Sequence, residues 1–289
     1  MSSFDEINED VLEIILSNAI SNECHLQQVA LVSKQWRCVA PRCVTRIHLR
    51  HYKSLEYALS RICRLEELKI GINRGKDVPY QSMWEIEDKI EDISPLSGLT
   101  SLVHLDISNT YVTDISPLYG LTSLTHLNMA HIYVADLSPL SGITSLIHLD
   151  MDNTLVDTIS PLSGLTLLTH LNMSYTRVDN ISPLSGLTSL LHLYIPNIED
   201  RIEDLLPLSG LTALVHLDIL HLHMTDISPL SGLTSLVHLN MEGTDVDDIS
   251  PLAGLTSLVH LDISNTDVGD ISPISGLTSL IDLKMTEKR

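Results

Sequence analysis

The stretch that decides the fold is L-V-H-L-D-I-S-N-T-Y-V-T-D-I-S-P-L-Y-G-L-T-S-L, residues 102–124. Near-copies of it follow one another through most of the 289 residues, with proline recurring at positions 95, 117, 139, 161, 183, 207, 229, 251 and 273. The period is 22 residues, stretched once to 24 between Pro183 and Pro207. A unit this short cannot bury its own apolar face, so it becomes stable only by stacking on its neighbours into a solenoid with one continuous core.

Within the unit, Leu102, Leu105 and Ile107 have the L-x-x-L-x-L spacing of a leucine-rich repeat. A short strand is expected from His104 to Ser108. Val112, Ile115, Leu118 and Leu121 then return the chain beneath the core. Ser116 followed by Pro117 has the form of a helix N-cap with proline at the first helical position, so a helical or 3-10 turn is expected there. Gly120 and its equivalents Gly98, Gly142, Gly164, Gly186, Gly210, Gly232, Gly254 and Gly276 are expected to leave that turn in a conformation costly for other residues. The pattern resembles the 22-residue class of internalins and of a nuclear phosphatase regulator. It implies an α/β repeat fold, a leucine-rich-repeat solenoid with a parallel sheet on the concave face and short 3-10 or helical turns on the convex face.

Thr110, Thr154, Thr176, Thr244 and Thr266 stand where many such repeats place an asparagine that ties down loop backbone; Ile132 and Leu222 cannot do so, and looser or differently satisfied turns are expected there. Val44, Ile47 and Leu49, then Leu65, Leu68 and Ile70, repeat the strand spacing, making eleven strands in all. The chain accordingly divides into an amino-terminal module (1–42), degenerate first repeats with an excursion loop at 71–92 (43–92), and the regular array (93–289). The loop carries Tyr80 and Trp84, an anchor for a partner or a lid over the end of the core. Pro196 and the acidic stretch from Glu199 predict a bulge where the period stretches, and the charges from Lys284 onward guard the last strand edge.

Eight of the fourteen histidines, His104, His126, His148, His170, His192, His216, His238 and His260, occupy one column just before the second inward leucine. Asp282 ends it. A second column reads Asp106, Asn128, Asp150, Asn172, Tyr194, Asp218, Asn240, Asp262 and Lys284. Strands about 4.8 Å apart would line both columns along the concave surface, where solenoids bind. The histidines are open to three readings: a relic of duplication, a polar contact surface for a protein substrate, or a pH-sensitive surface in which like charges repel and the neighbouring Asp column favours the charged form. A flat ladder supplies two metal ligands but no closed tetrahedral set, and no metal or cofactor is expected.

Charge divides the chain. Residues 1–76 carry 11 Lys/Arg against 9 Asp/Glu, residues 77–289 carry 6 against 28, and the total is −20. An array this acidic disfavours nucleic acid and suits either a partner with a basic surface or solubility alone. No apolar run is long enough for a membrane helix, no secretory leader is evident at the start, and Cys24, Cys38, Cys43 and Cys63 lack paired spacing. An intracellular protein with no membrane partner is expected. No G-x-S-x-G, P-loop, H-E-x-x-H or dinucleotide motif occurs, so no catalytic residue is assigned and a non-catalytic protein is expected.

Residues 7–37 lack the 22-residue unit and place apolar residues at helical spacing, ending V-S-K-Q-W-R at Val32 to Arg37. This segment resembles an F-box: Asp10, Val11, Leu12, Ile15 and Leu16 fall in its first helix, Leu26 and Val29 in its second, and Val32, Ser33, Lys34, Trp36 and Arg37 match its closing motif. Ile7 and Asn8 replace the usual initial Leu-Pro. Together with the repeats, the chain resembles the F-box and leucine-rich-repeat class. That resemblance implies a substrate-recognition subunit of a Skp–cullin–F-box ubiquitin ligase, in the cytoplasm or nucleus of a eukaryotic cell or host. Ile7, Asp10, Val11, Leu12, Ile15, Leu16, Val32 and Trp36 would meet a Skp-family adaptor, and the histidine and Asp/Asn columns would hold the protein substrate. The alternative is a leucine-rich-repeat scaffold without a ubiquitin link, whose first helices only cap the solenoid.

Overall fold

Residues 46–49, 66–70, 90–196, 202 and 204–286 are described by the computed structural model. The F-box-like segment and residues 71–89 of the excursion loop lie outside them. Eleven parallel strands form one sheet in strict chain order. They are β1 (Arg46–Leu49), β2 (Glu67–Ile70), β3 (His104–Asp106), β4 (His126–Asn128), β5 (His148–Asp150), β6 (His170–Asn172), β7 (His192–Tyr194), β8 (His216–Asp218), β9 (His238–Asn240), β10 (His260–Asp262) and β11 (Asp282–Lys284). This is the expected leucine-rich-repeat solenoid, with a 3-10 turn opposite each of β3 to β11.

Register is uniform, because each central leucine sits beside the next: Leu105 with Leu127, then Leu149, Leu171, Leu193, Leu217, Leu239 and Leu261. A slip of one residue would turn every leucine to solvent and every histidine into the core. The apolar positions read from the repeat are buried, from Leu102, Leu105 and Ile107 through Val112, Ile115, Leu118 and Leu121. The two extra residues before Pro207 leave this register intact: Leu193 still pairs with Leu217, and Ile202 is buried within the longer connection.

Three local features differ from expectation. The strand stops at Asp106 rather than Ser108, because Asn109 turns the chain at φ 58°. Inter-repeat bonding nevertheless continues, Ile107 N–H reaching the Asn128 carbonyl and Asn109 N–H the Ala130 carbonyl, each at 2.9 Å. The same left-handed conformation recurs at His131, Asn153, Tyr175, His221 and Asn265, and at Gly243.

The 3-10 turn does not use Ser116 as its cap. Ser116 is the first helical residue, and Asp114, two residues earlier, accepts both its N–H at 2.8 Å and its hydroxyl at 2.9 Å. Asp92, Asp136, Asp248 and Asp270 do the same. Each carboxylate oxygen takes one of the two donors, and these donors hold the Asp136, Asp226 and Asp270 carboxyls below their ordinary pKa. Part of the acidity of the array is therefore structural.

Of the nine glycines after the turn, only Gly98 and Gly120 have positive φ, both +88°. There the preceding residue has ψ near 125° (126° at Ser97, 123° at Tyr119), which makes a type II-like turn. At Ser141 ψ is −25° and its hydroxyl donates to the Ser138 carbonyl at 2.8 Å, a bond that the Tyr119 side chain cannot make.

The threonines do tie down backbone. Thr110, Thr154, Thr176, Thr244 and Thr266 are buried, and each hydroxyl donates to the carbonyl three residues back at 2.7 to 2.9 Å. Ile132 and Leu222 put apolar side chains into the same position, and at the second turn Leu222 N–H itself bonds the Ile219 carbonyl at 3.2 Å.

Two expectations follow. Gly120→Ala should cost about 1 kcal/mol and Gly142→Ala nothing, because a Cβ meets open space at both but only Gly120 needs a left-handed backbone; equal thermal midpoints would refute the distinction. Thr176→Val should lower stability by roughly 1–3 kcal/mol in urea unfolding, since it leaves the Met173 carbonyl buried without its donor.

Candidate partner-binding face

The uniform register turns a sequence column into a surface. His104 pairs across the strands with His126, and so on to His260, so the eight imidazoles stack with centroid separations of 4.3 to 5.9 Å. His170 with His192 and His238 with His260 are nearly parallel, at 10° and 4°. Threonine hydroxyls hold two rings by Nδ1: Thr125 at His126 and Thr169 at His170, both at 2.8 Å.

The Asp/Asn column lies beside it and has a duty within the fold. Asp106 accepts the Ser108 N–H at 3.0 Å, and Asn128, Asp150, Asn172, Asp218, Asn240 and Asp262 each accept the N–H two residues on. One member breaks the rule informatively. Tyr194 is followed two residues later by Pro196, which has no N–H, and the acceptor is dispensed with at the one strand where there is nothing to accept.

Both columns change character at the same two strands. In β2, Glu67 aligns with His104 and Lys69 with Asp106; in β11, Asp282 aligns with His260 and Lys284 with Asp262. Lys69 contacts the Asp106 carboxylate at 2.6 Å and Lys284 that of Asp262 at 3.4 Å. The ladder is thus bracketed by an acid at each end and the neighbouring column by a lysine at each end. Shallow depressions occupy the two ends of the face, one lined by Glu67, Lys69, His104 and His126, the other by His238, His260, Asp282 and Lys284.

Electrostatically the ladder runs opposite to the expected effect of the carboxylates. His126, His148, His170, His216 and His238 are all pushed below the ordinary imidazole pKa, first by partial burial; for all but His148 the other imidazoles of the ladder come next. His216 is pushed down to about 4. Asp150 does pull His148 upward, but by less than burial pulls it down. Asp150, Asp152 and Asp218 are raised, chiefly by burial. Most of the ladder is therefore neutral near pH 7. Among the described residues, no group of three or more His, Cys, Asp or Glu side chains is arranged to hold a metal ion. Nor is any described helix long and apolar enough to cross a membrane.

The rim of this face was not singled out from the sequence. The left-handed column includes His131 and Tyr175, and next to it Tyr111 and Tyr133 approach each other at 6.4 Å. Towards the other end the rim is polar, His223 contacting Asp245 at 2.9 Å. Counting the same 22-residue column three and five places beyond the strand would have found it.

No protein-family model matches the chain, and no curated protein is similar to it. Solved structures are. An internalin from Listeria monocytogenes is 29% identical with a TM-score of 0.76, covering 94% of this chain and 75% of that one. Internalin C2 of the same organism is 26% identical with a TM-score of 0.51, covering 80% and 84%. The functional domain of a third Listeria monocytogenes protein, InlJ, which includes a cysteine ladder, is 21% identical with a TM-score of 0.59 over 85% of this chain and 54% of that one. The chain is an internalin-like leucine-rich-repeat solenoid, the fold of a protein-binding scaffold.

The ladder has a checkable titration. A histidine whose folded pKa lies below the unfolded value of 6.5 makes folding less favourable as pH falls through 6.5 towards the folded value, because the unfolded chain takes up the proton first. The thermal midpoint should fall between about pH 6.5 and 4, the His216 ring should titrate near 4 by NMR, and His216→Gln should flatten the slope. A midpoint independent of pH over that window would contradict the assignment.

Proposed function

We propose that the chain is a receptor subunit whose concave sheet holds a protein substrate and whose first 42 residues dock a Skp-family adaptor of a cullin ubiquitin ligase. One observation carries the binding half. The Asp/Asn column has backbone N–H groups to satisfy, whereas the ladder histidines make only side-chain contacts with one another and with neighbouring residues, among the described hydrogen bonds. Eight rings with no backbone duty, stacked on the open face of a solenoid, are available for recognition. The array's excess of acidic residues favours a partner with a basic surface. Such a subunit does no chemistry itself and acts by raising the effective concentration of its substrate near the ligase.

The ubiquitin half is supported by residues 7–37, in particular the string Val32 to Arg37. It would place the protein in the cytoplasm or nucleus of a eukaryotic cell, its own or a host's. The rival reading is a scaffold of the same fold with no such link. The test is a pull-down of the full chain against a purified Skp-family adaptor, beside a Leu12→Asp, Trp36→Ala variant shown by circular dichroism to remain folded. Capture by the parent and loss in the variant are expected. Capture by neither would leave the scaffold, for which deleting residues 1–42 destabilises the repeats but removes no partner.

A further inference from the structure

The last strand departs from the pattern of the strands before it. Where β3 to β10 read H-L-D, H-L-N or H-L-Y, β11 reads D-L-K. Among the described residues it is the last strand of the sheet, with β10 on one side and no described strand on the other. Its apolar residues are open: Ile281 is 83% exposed, Leu283 36% and Met285 47%, while Leu261 and Ile263, one repeat earlier, are buried.

The backbone is open as well. Asp282 N–H bonds the Val259 carbonyl at 3.1 Å and the Lys284 carbonyl accepts Ile263 N–H at 3.0 Å, so these residues turn their peptide groups toward β10. By the alternation of a strand, the N–H and C=O of Leu283 point to the open side. Asp282 and Lys284 project on the concave face beside the ladder. Their contacts within the chain are long, 3.5 Å to His260 and 3.4 Å to Asp262, and both side chains are about half exposed or more.

We infer that this edge joins a second copy of the chain across a two-fold axis through Leu283. Antiparallel pairing centred there sets Asp282 opposite Lys284 of the other copy, Leu283 opposite Leu283, and Ile281 opposite Met285. Every charge meets its opposite and every apolar side chain an apolar one. The two Leu283 residues exchange their outward N–H and C=O groups as a hydrogen-bonded pair. Parallel pairing of the same two strands in register would instead bring Asp to Asp and Lys to Lys. The other acid-Leu-Lys strand, β2, is not at the edge of the described sheet, since β1 pairs with it on one side and β3 on the other. An isologous contact of this kind closes on itself and pairs the β11 edge of both copies. Because the axis is normal to the sheet, both histidine ladders face the same side, and a partner can engage the two at once.

The experiment is sedimentation velocity on the full chain over a range of concentrations. The parent should show a reversible monomer–dimer equilibrium. Asp282→Lys and Lys284→Asp, each alone, set like charges opposite in both symmetric positions and should weaken association by about tenfold or more. An equimolar mixture of the two variants should recover the dimer, because a strand with two lysines then meets a strand with two aspartates. Both substitutions are at exposed positions, and unchanged circular dichroism and thermal midpoints would show that the fold is kept. A parent that is monomeric at its highest soluble concentration would overturn the inference, as would a dimer indifferent to the single variants or a mixture that fails to recover it.

Discussion

One contact supports the rest of this molecule: the central leucine of each short strand packed against the central leucine of the next, Leu105 on Leu127 and onward to Leu261. The strands are only three residues long from β3 on, too short to specify a register by hydrogen bonds alone. It is the buried leucine, flanked on both sides by polar residues, that makes any slip expensive. Given that register, every residue type that recurs at 22 must form a line, and the ladder of imidazoles is its direct consequence. The nearest-neighbour character of such stacking also means that stability is distributed along the solenoid rather than concentrated in one centre.

The polar positions divide into those that serve the backbone and those that do not. The aspartates before each 3-10 turn, the Asp/Asn column at each strand end and the buried threonines each satisfy particular N–H or C=O groups that the sharp turns would otherwise leave unpaired. Tyr194 marks the exception that Pro196 permits. Removing these from consideration leaves the histidines, the tyrosine-bearing rim and the charged brackets at β2 and β11 as surface available for recognition. The low imidazole pKa values belong with that surface: a row of rings 4 to 6 Å apart and partly buried cannot carry a full row of positive charges, so it presents neutral edges able both to donate and to accept hydrogen bonds.

A two-fold arrangement about β11 bears on how such a surface would be used. Among the described residues β11 is paired only to β10, and Ile281, Leu283 and Met285 on it and beside it are exposed apolar surface. Covering it with an identical end extends one sheet into another without a new fold, and gives two recognition faces a common orientation. Bivalent engagement strengthens binding without any new contact, provided the partner spans both faces.

The sequence by itself determined the repeat, its period, the parallel solenoid, the eleven strands, the inward residues and the existence of a histidine column, because a 22-residue period with leucines at fixed offsets admits one economical stacking. It also marked the turn threonines. What only the tertiary structure decided was which polar neighbour serves which backbone group. Asp114 rather than Ser116 holds the start of its turn, its carboxylate accepting both Ser116 donors, and Gly120 but not Gly142 takes a left-handed backbone, following the ψ of the residue before it. The sign of the ladder's electrostatics was likewise invisible in the residue names. Neighbouring aspartates suggested charged imidazoles, but burial and ring-to-ring repulsion depend on depth and spacing, which exist only once the strands are stacked.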